Sequence, residues 1–256
     1  MKKVCAVVDP AWDLEAVFAQ AEKDGMRVTS AFITHTHFDH VNALQGFLDK
    51  TDGKIHLHKN EAEFLKVSKM NLRPTEAGEK IKVGDLEVTF LHTPGHTPGS
   101  QCFYVGNTLV SGDTLFINAC GRTDLPGGDT EELYRSLSHL AELPEETILY
   151  PGHNYSDRPT STIGAEKRQN PFLQIKSLEE FLWRVRGVLA GFGGSGGPWI
   201  RFLVSAFADP DAAGGVAQHI VARSADSWYR LLSSLRPYDD QVIPLLFGHI
   251  HNRRTR

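Results

Sequence analysis

The sequence has few cysteines and no long apolar run, and both absences restrict what the protein can be. Its three cysteines, Cys5, Cys102 and Cys120, are odd in number and far apart, which argues against a framework of disulfides. No run of 18 apolar residues occurs, and the apolar segment after Met1-Lys2-Lys3 is too short for a signal peptide. The sequence therefore predicts a cytoplasmic protein without a membrane-spanning segment.

A basic run is also missing from the part of the chain that carries the motifs described below. The net charge is −4 at pH 7, so neither nucleic acid nor an anionic membrane is an expected partner. The 256 residues are 41% hydrophobic and 23% charged, which is typical of a soluble globular protein that can bury a core. The sequence leaves the oligomeric state open.

Lysine and glutamate are absent from residues 185–256, although both are common earlier in the chain. Glycine recurs there, in Gly191–Gly197 and Gly214-Gly215, and no helical or strand period persists for long. We therefore predict a domain over residues 1–183 and a Gly/Arg-rich tail over residues 184–256. The tail is interpreted as an appended or read-through segment, or as a small helical extension, and its His249 and His251 as incidental.

The sequence is rich in metal-ligand side chains at one place, Thr34-His35-Thr36-His37-Phe38-Asp39-His40. The apolar run 31–33 leads into this group and residues 41–44 leave it, which predicts a strand-to-helix turn. Histidine is the commonest metal ligand, and aspartate adds a hard oxygen donor. A merely polar loop is the weaker interpretation, because four such donors would bury poorly without an ion.

The periods of apolar residues predict strands and helices that form sheets packed on each other with helices outside. The predicted strands are 4–8, a strand that starts near Val28 and leads to His35, 54–58, 81–83, 86–91, 101–105, 108–111 and 147–150. The predicted helices are 14–21, 42–48, 61–70 and 131–140. His56 and His58 share one face of their strand and are interpreted as exposed or lightly packed residues.

Three later segments place a metal-ligand side chain directly after a predicted strand. They are Thr93–Gly99 with His96, Ser111–Thr114 with Asp113, and Tyr150–His153 with its final histidine. Loops at strand ends can be shaped without disturbing the core, so such side chains can meet in one site. A single Gly-His or Gly-Asp pair would mean little, but three in succession behind the first cluster indicate one metal site.

These motifs, over residues 4 to about 175, resemble the metallo-β-lactamase superfamily of αββα metallohydrolases. The resemblance implies a four-layer α/β sandwich that lacks its first edge strand here, because this chain starts late. It also implies that His35, His37 and His96 hold one metal, that Asp39, His40 and His153 hold the other, and that Asp113 bridges both. Asp9, at the end of the first strand, would lie behind the ligands and steady the loop that bears them.

Within the superfamily, residues 119–124 and 152–155 resemble the glyoxalase II and persulfide dioxygenase branches, which act on glutathione conjugates. The resemblance to glyoxalase II implies that Arg122 and Tyr155 bind the glutathione part. An arginine fork suits a carboxylate of the tripeptide. The alternative is that Arg122 caps or pairs with Asp124 and Asp129.

The expected activity is hydrolysis of a glutathione thioester by hydroxide on two divalent ions, with zinc expected before iron or manganese. Asp39 would orient the hydroxide and accept its proton. The alternative is a persulfide dioxygenase with one iron on His35, His96 and Asp113. A β-lactam hydrolase is less expected, because the chain has neither an export signal nor a zinc-ligand cysteine at position 113. An inactive truncated family member is the non-enzyme alternative.

Overall fold

The computed structural model describes residues 3–65, 70–190, 220–222 and 245–247 of the chain. Strands and helices alternate in its first part, and a run of antiparallel strands follows from residue 80. The strands are β1 (Val4–Val8), β2 (Arg27–Phe32), β3 (Lys54–His58), β4 (Leu72–Thr75), β5 (Lys80–Val83), β6 (Leu86–His92), β7 (Gln101–Val105), β8 (Thr108–Gly112), β9 (Leu115–Phe116), β10 (Ala119–Cys120), β11 (Ile148–Pro151), β12 (Ser161–Thr162), β13 (Ile220–Ala222) and β14 (Leu245–Phe247). The helices are α1 (Leu14–Lys23), α2 (Phe38–Val41), α3 (Leu44–Lys50), α4 (Thr130–Leu140), α5 (Ile163–Gln169) and α6 (Leu178–Ala190), and a 3₁₀ turn spans Lys59–Glu61.

The first sheet is built around the parallel strands β1, β2, β3 and β4. Parallel neighbours need a connection that crosses back over the sheet, and α1 supplies it between β1 and β2. Asp13 caps α1 by accepting a hydrogen bond from the Ala16 N–H at 3.1 Å. The carboxyl ends of β1 and β2 therefore lie at one edge of the sheet, where Asp9 and Thr34 follow.

The second sheet combines an antiparallel run, β5 to β8, with the parallel pair β8 and β11. Gly84 and Gly106 have positive φ angles of 61° and 58° at two of the hairpin turns, a backbone conformation that glycine adopts without strain. Because β8 and β11 are parallel, their carboxyl ends meet at one edge. Asp113 and His153 follow those two ends.

Apolar side chains between the two sheets form a central core. The buried rings of Phe32, Phe90 and Phe103 pack with centroids 4.8 to 5.5 Å apart. A second cluster lies under α1 and α3, and a third under α4 and α6. The predicted αββα sandwich is thus confirmed. None of the described helices is both long and apolar enough to cross a bilayer.

Two predictions of local structure differ from what the fold shows. A helix over 61–70 is wrong for 61–65, where a 3₁₀ turn gives way to plain turns; residues 66–69 lie outside the described part. The reason is tertiary, because the Glu61 carboxylate is buried against two loops of the site. Strand β4 was not predicted. Its Pro74 is tolerated because β4 lies at the edge of the sheet.

The end of the chain contributes to the fold at two places. Strand β14 pairs antiparallel with β1, with Ala6 opposite Phe247, so a strand from the tail lies beside β1, where we predicted a missing edge strand. Helix α6 crosses the predicted boundary at residue 183, because Phe181 and Val185, four residues apart, are both buried in the cluster under α4 and α6. His249 and His251 lie outside the described residues.

Candidate metal centre

The fold brings together all seven side chains for which the sequence predicted a metal-binding role. Four follow β2 in one loop and short helix, and the others follow β6, β8 and β11. Their donor atoms form three overlapping groups, each within 4.8 Å and each able to hold an ion. The groups are His35, His37 and His96; His35, His40 and Asp113; and Asp39, His40 and His153.

Three histidine nitrogens converge on one side of the centre. The Nδ1 atom of His37 lies 3.0 Å from Nε2 of His35 and 3.0 Å from Nε2 of His96. His35 and His96 are almost fully buried. Imidazole nitrogens this close need a proton or a cation between them, which suits a metal ion.

Asp113 lies between this group and a second one. Its Oδ2 is 3.6 Å from Nε2 of His96 and 3.4 Å from Nε2 of His153, and its Oδ1 is 3.3 Å from Nε2 of His40. On the far side, His153 Nε2 is 3.4 Å from Oδ2 of Asp39. One carboxylate thus faces ligand atoms of both groups.

Contacts behind the histidines fix which ring nitrogen faces the centre. His40 Nδ1 donates to Asp9 Oδ2 at 2.9 Å, and His96 Nδ1 donates to the carbonyl oxygen of Arg122 at 2.8 Å. His35 Nδ1 lies 3.1 Å from Thr34 Oγ1. With Nδ1 occupied in this way, Nε2 of each ring directs its lone pair inward, where it can bind a metal.

Asp9 connects the end of β1 to the loop that carries the histidines. Its Oδ1 accepts a hydrogen bond from the Thr34 N–H at 2.7 Å, and its Oδ2 accepts one from Thr34 Oγ1 at 2.6 Å. Asp9 is buried and has a φ of 47°, a conformation that aspartate tolerates better than most residues. Its carboxylate therefore braces both Thr34 and His40.

Two glycines let the strand ends approach closely enough to form the centre. Gly112, directly before Asp113, has a φ of 49°, and a Cβ there would lie 2.6 Å from the Cβ of Thr34. A Cβ at Gly152 would lie 2.5 Å from Oδ1 of Asp113. A side chain at either position would push the loops apart.

Charge in the centre is divided between its acidic and basic members. Burial alone would raise the pKa of Asp113, but His153 and His40 hold it well below its usual range. Burial would lower the pKa of His153, yet Asp113 and Asp39 raise it to about 9. Burial lowers the pKa of His35 and His37, so these rings stay neutral, as metal ligands must be.

Two buried polar atoms at the centre make no hydrogen bond within the described part of the chain. They are Oδ1 of Asp113 and Nδ1 of His153. Oδ1 of Asp113 lies 3.3 Å from Nε2 of His40, and a buried carboxylate oxygen that accepts no hydrogen bond is costly unless a cation faces it. Together with the convergent imidazoles, this oxygen fits a divalent metal centre.

Sequence reasoning missed Glu61, which is 1% exposed and connects two of the loops that carry the predicted ligands. Its Oε2 accepts hydrogen bonds from the N–H and the hydroxyl of Thr36, between His35 and His37. Its Oε1 accepts one from the Gly99 N–H at 2.9 Å, three residues after His96. A pattern of neighbouring residues in the sequence cannot predict these contacts, because Thr36 and Gly99 are far from Glu61 in the chain.

We expect Glu61→Gln to weaken binding of a divalent metal ion, tested with zinc, about 10-fold to 100-fold, as loss of a group that orients ligands does. The side-chain NH2 group of the new glutamine cannot accept a hydrogen bond, so the N–H of either Thr36 or Gly99 loses its acceptor and the loop that carries it is less well held. Zinc affinity is measured by competition with a chelator, and Glu63→Gln, at an exposed position nearby, is the matched control. Equal zinc affinity in both variants would show that the loops hold without Glu61.

The residues predicted to contact substrate lie beside the centre. Arg122 forms a two-pronged ion pair with Asp124, with both N to O distances 2.7 Å, which is the pairing named as the alternative to substrate binding. Asp129 is not part of it, since it caps α4. Tyr155 stacks on His153, with ring centroids 5.3 Å apart and planes 9° apart. Substrate binding by Arg122 and Tyr155 stays a prediction.

The interpretation of His56 and His58 can also be compared with the structure. His58 was interpreted as exposed or lightly packed, but it is buried, with a relative exposure of 3%, and its ring stacks on that of His92 at a centroid distance of 3.8 Å. The ring of His56 packs edge-on against Phe32. His58 was misjudged because strand period gives the face of a side chain but not what covers it. Cys120 is buried in an apolar cluster, and burial raises the pKa of its thiol, which fits a packing role.

Comparison with known proteins agrees with this geometry. The sequence model of the Metallo-beta-lactamase superfamily matches residues 2–153, which include all seven converging side chains. The chain belongs to the metallo-β-lactamase superfamily.

Relatives within the superfamily include named hydrolases. The chain is 34% identical to "Probable metallo-hydrolase YqgX" of Bacillus subtilis, over 68% of this chain and 89% of that protein. It is 28% identical to "Probable polyketide biosynthesis zinc-dependent hydrolase BaeB" of Bacillus velezensis, over 71% and 81% of the two chains. Among solved structures, ETHE1 from Myxococcus xanthus matches with a TM-score of 0.66 and 32% identity, over 73% and 81%. Together with the cluster of histidines and aspartates, these relatives support use of a divalent metal.

Proposed function

We propose that this superfamily member hydrolyses a glutathione thioester, in the manner of glyoxalase II. The observation that carries the proposal is the arrangement of six donors in two groups, with Asp113 as a seventh donor between them. Such an arrangement suits a pair of divalent ions, with zinc foremost because a relative is named as a zinc-dependent hydrolase. His35, His37 and His96 would hold one ion, and Asp39, His40 and His153 the other.

When bound, the two ions would lower the pKa of water toward about 7 and polarise the thioester carbonyl. Asp39 then has the role of orienting the attacking water. Burial would raise the pKa of Asp39, but the hydrogen bond with His153 and the charge of His40 lower it to about 2. Asp39 therefore stays ionised and accepts a hydrogen bond from water well, whereas it would hold a transferred proton only briefly.

Binding of the glutathione part is proposed to use Arg122 and Tyr155. The Arg122 side chain is about one third exposed, so its ion pair with Asp124 contributes at most about 1 kcal/mol. A carboxylate of the substrate can replace Asp124 at the guanidinium at small cost. Tyr155 can then contact the substrate from its stacked position on His153.

The test is elemental analysis of protein purified without added metal, paired with an assay of glutathione thioester hydrolysis. We expect about two divalent ions per chain, as a two-metal site requires, and hydrolysis that a chelator stops. One ion per chain without hydrolysis would contradict the proposal. The paired design matters because metal content alone does not report turnover.

A persulfide dioxygenase with a single iron is the second candidate. Similarity to the ETHE1 structure favours it, and His96 and Asp113, two of its three proposed iron ligands, face each other at 3.6 Å. Two histidines and one carboxylate leave positions open on iron for oxygen and substrate. Oxygen uptake with glutathione persulfide, together with one iron per chain, would identify this activity.

A further inference from the structure

The metal centre is exposed to solvent at Asp39. The side chains of His40, His96, His153 and Asp113 are between 0% and 11% exposed, whereas that of Asp39 is 40% exposed. His37, two residues before Asp39 in the chain, is also only partly buried, so a substrate can reach the centre past Asp39 and His37.

Two large aromatic side chains lie at this opening. Phe38 is located between His37 and Asp39 in the chain and is 74% exposed, and Trp12 is 39% exposed. The two rings contact each other edge to face, with centroids 6.3 Å apart and planes 89° apart. Folding gains little from aromatic rings that stay in water, so this apolar surface calls for another explanation.

The backbone holds Trp12 in this position at a cost. Its φ is 54°, which is rare for a bulky residue and costs on the order of a tenfold to hundredfold factor in stability. The Trp12 N–H donates to Oδ1 of Asn42 at 2.7 Å, and the Ala43 N–H donates to the Pro10 carbonyl at 3.2 Å. Because Asn42 directly follows α2, which carries Phe38 and Asp39, these bonds fix Trp12 relative to the opening.

We propose that Trp12 and Phe38 form an aromatic wall that binds the apolar acyl group of the substrate, so that the enzyme prefers thioesters with larger apolar acyl groups. This inference rests on the proposed hydrolysis. In that reaction the water oxygen bonds to the acyl carbon, the carbon–sulfur bond breaks, and the thiol leaves with a proton. With the glutathione part proposed to lie at Arg122 and Tyr155, the acyl group is proposed to lie on the side of the centre where Asp39 is exposed, and the released acid would leave past the same wall.

The test is kcat/KM for a series of glutathione thioesters with acetyl, butyryl, hexanoyl and phenylacetyl groups. For the wild-type protein we expect a rise of up to about fourfold per added methylene group, the value for full burial. Phe38→Ala and Trp12→Ala should each reduce this gradient by about half or more, because each removes one ring from the wall. Trp183→Ala, at a 73% exposed position on α6, is the matched control and should keep the gradient. Thermal unfolding of each variant confirms that it is folded.

Binding of S-methylglutathione and S-hexylglutathione to the zinc-loaded protein separates this inference from the proposed function. If thioesters are hydrolysed at rates independent of acyl length, the aromatic wall is refuted and the hydrolase stands. If no thioester is hydrolysed but the hexyl compound binds tighter than the methyl one, and Phe38→Ala removes the difference, the wall stands and the hydrolase fails. Equal binding of both compounds, without hydrolysis, refutes both.

Discussion

Asp113→Ala is expected to remove metal binding and turnover together, because Asp113 faces ligand atoms of both groups. Its two oxygens lie 3.3 to 3.6 Å from Nε2 of His40, His96 and His153. Loss of a residue that only orients a ligand costs about 10-fold to 100-fold, so loss of a shared ligand should lower kcat/KM by more than about 100-fold. Elemental analysis of the purified variant and its kcat/KM for a thioester measure both effects.

The matched control for this prediction is Asp157→Ala, which removes a carboxylate that is 90% exposed. It should bind metal and turn over like the wild type. Asp113 raises the pKa of both His40 and His153, so its removal also changes the charge of the centre when no metal is bound. Thermal unfolding of the metal-free wild type and the metal-free variant therefore shows whether the variant is still folded. A folded Asp113→Ala protein with its full metal content would refute the bridging role.

The sequence pattern predicted packed sheets with helices outside and a metal site at strand ends, and the resemblance to the superfamily implied the four-layer sandwich and the seven ligands. Asp113 directly follows β8 and His153 follows β11, and because these two strands are parallel neighbours their carboxyl ends lie at one edge of the sheet. The cluster from His35 to His40 is local in sequence and needs only a turn after β2. Short spacing and strand ends together are therefore a strong signal for a site.

Contacts between distant segments could not be read in the same way. Glu61 lies in a segment whose sequence is amphipathic and helix-like, yet its carboxylate accepts hydrogen bonds from Thr36 and Gly99 in two other loops. The pairing of β14 with β1 spans almost the whole chain, and three-residue strands have no detectable period. Local patterns report which face is apolar, whereas the choice of partner depends on the folded arrangement of all segments.

Replacing His37 or His153 by alanine distinguishes most clearly between the two candidate functions. The hydrolase proposal uses both as ligands, one in each group, whereas the dioxygenase uses neither. If the protein is a two-metal hydrolase, we expect His37→Ala and His153→Ala each to lose about one of two ions and to lower thioester kcat/KM by more than about 100-fold. If it is a mononuclear dioxygenase, both variants should keep their iron and most of their oxygen uptake.

Geometry explains why these two positions carry the distinction. His37 Nδ1 is 3.0 Å from both neighbouring histidine nitrogens, so its removal opens the first group without touching Asp113. His153 contacts Asp39 and Asp113, so its removal opens the second group while His35 and His96 keep their bonds to Thr34 and Arg122. His139→Ala, an exposed histidine on α4, controls for loss of an imidazole as such. If only one of His37→Ala and His153→Ala lost metal, neither candidate would fit. That result would mean that only one of the two ligand groups binds an ion.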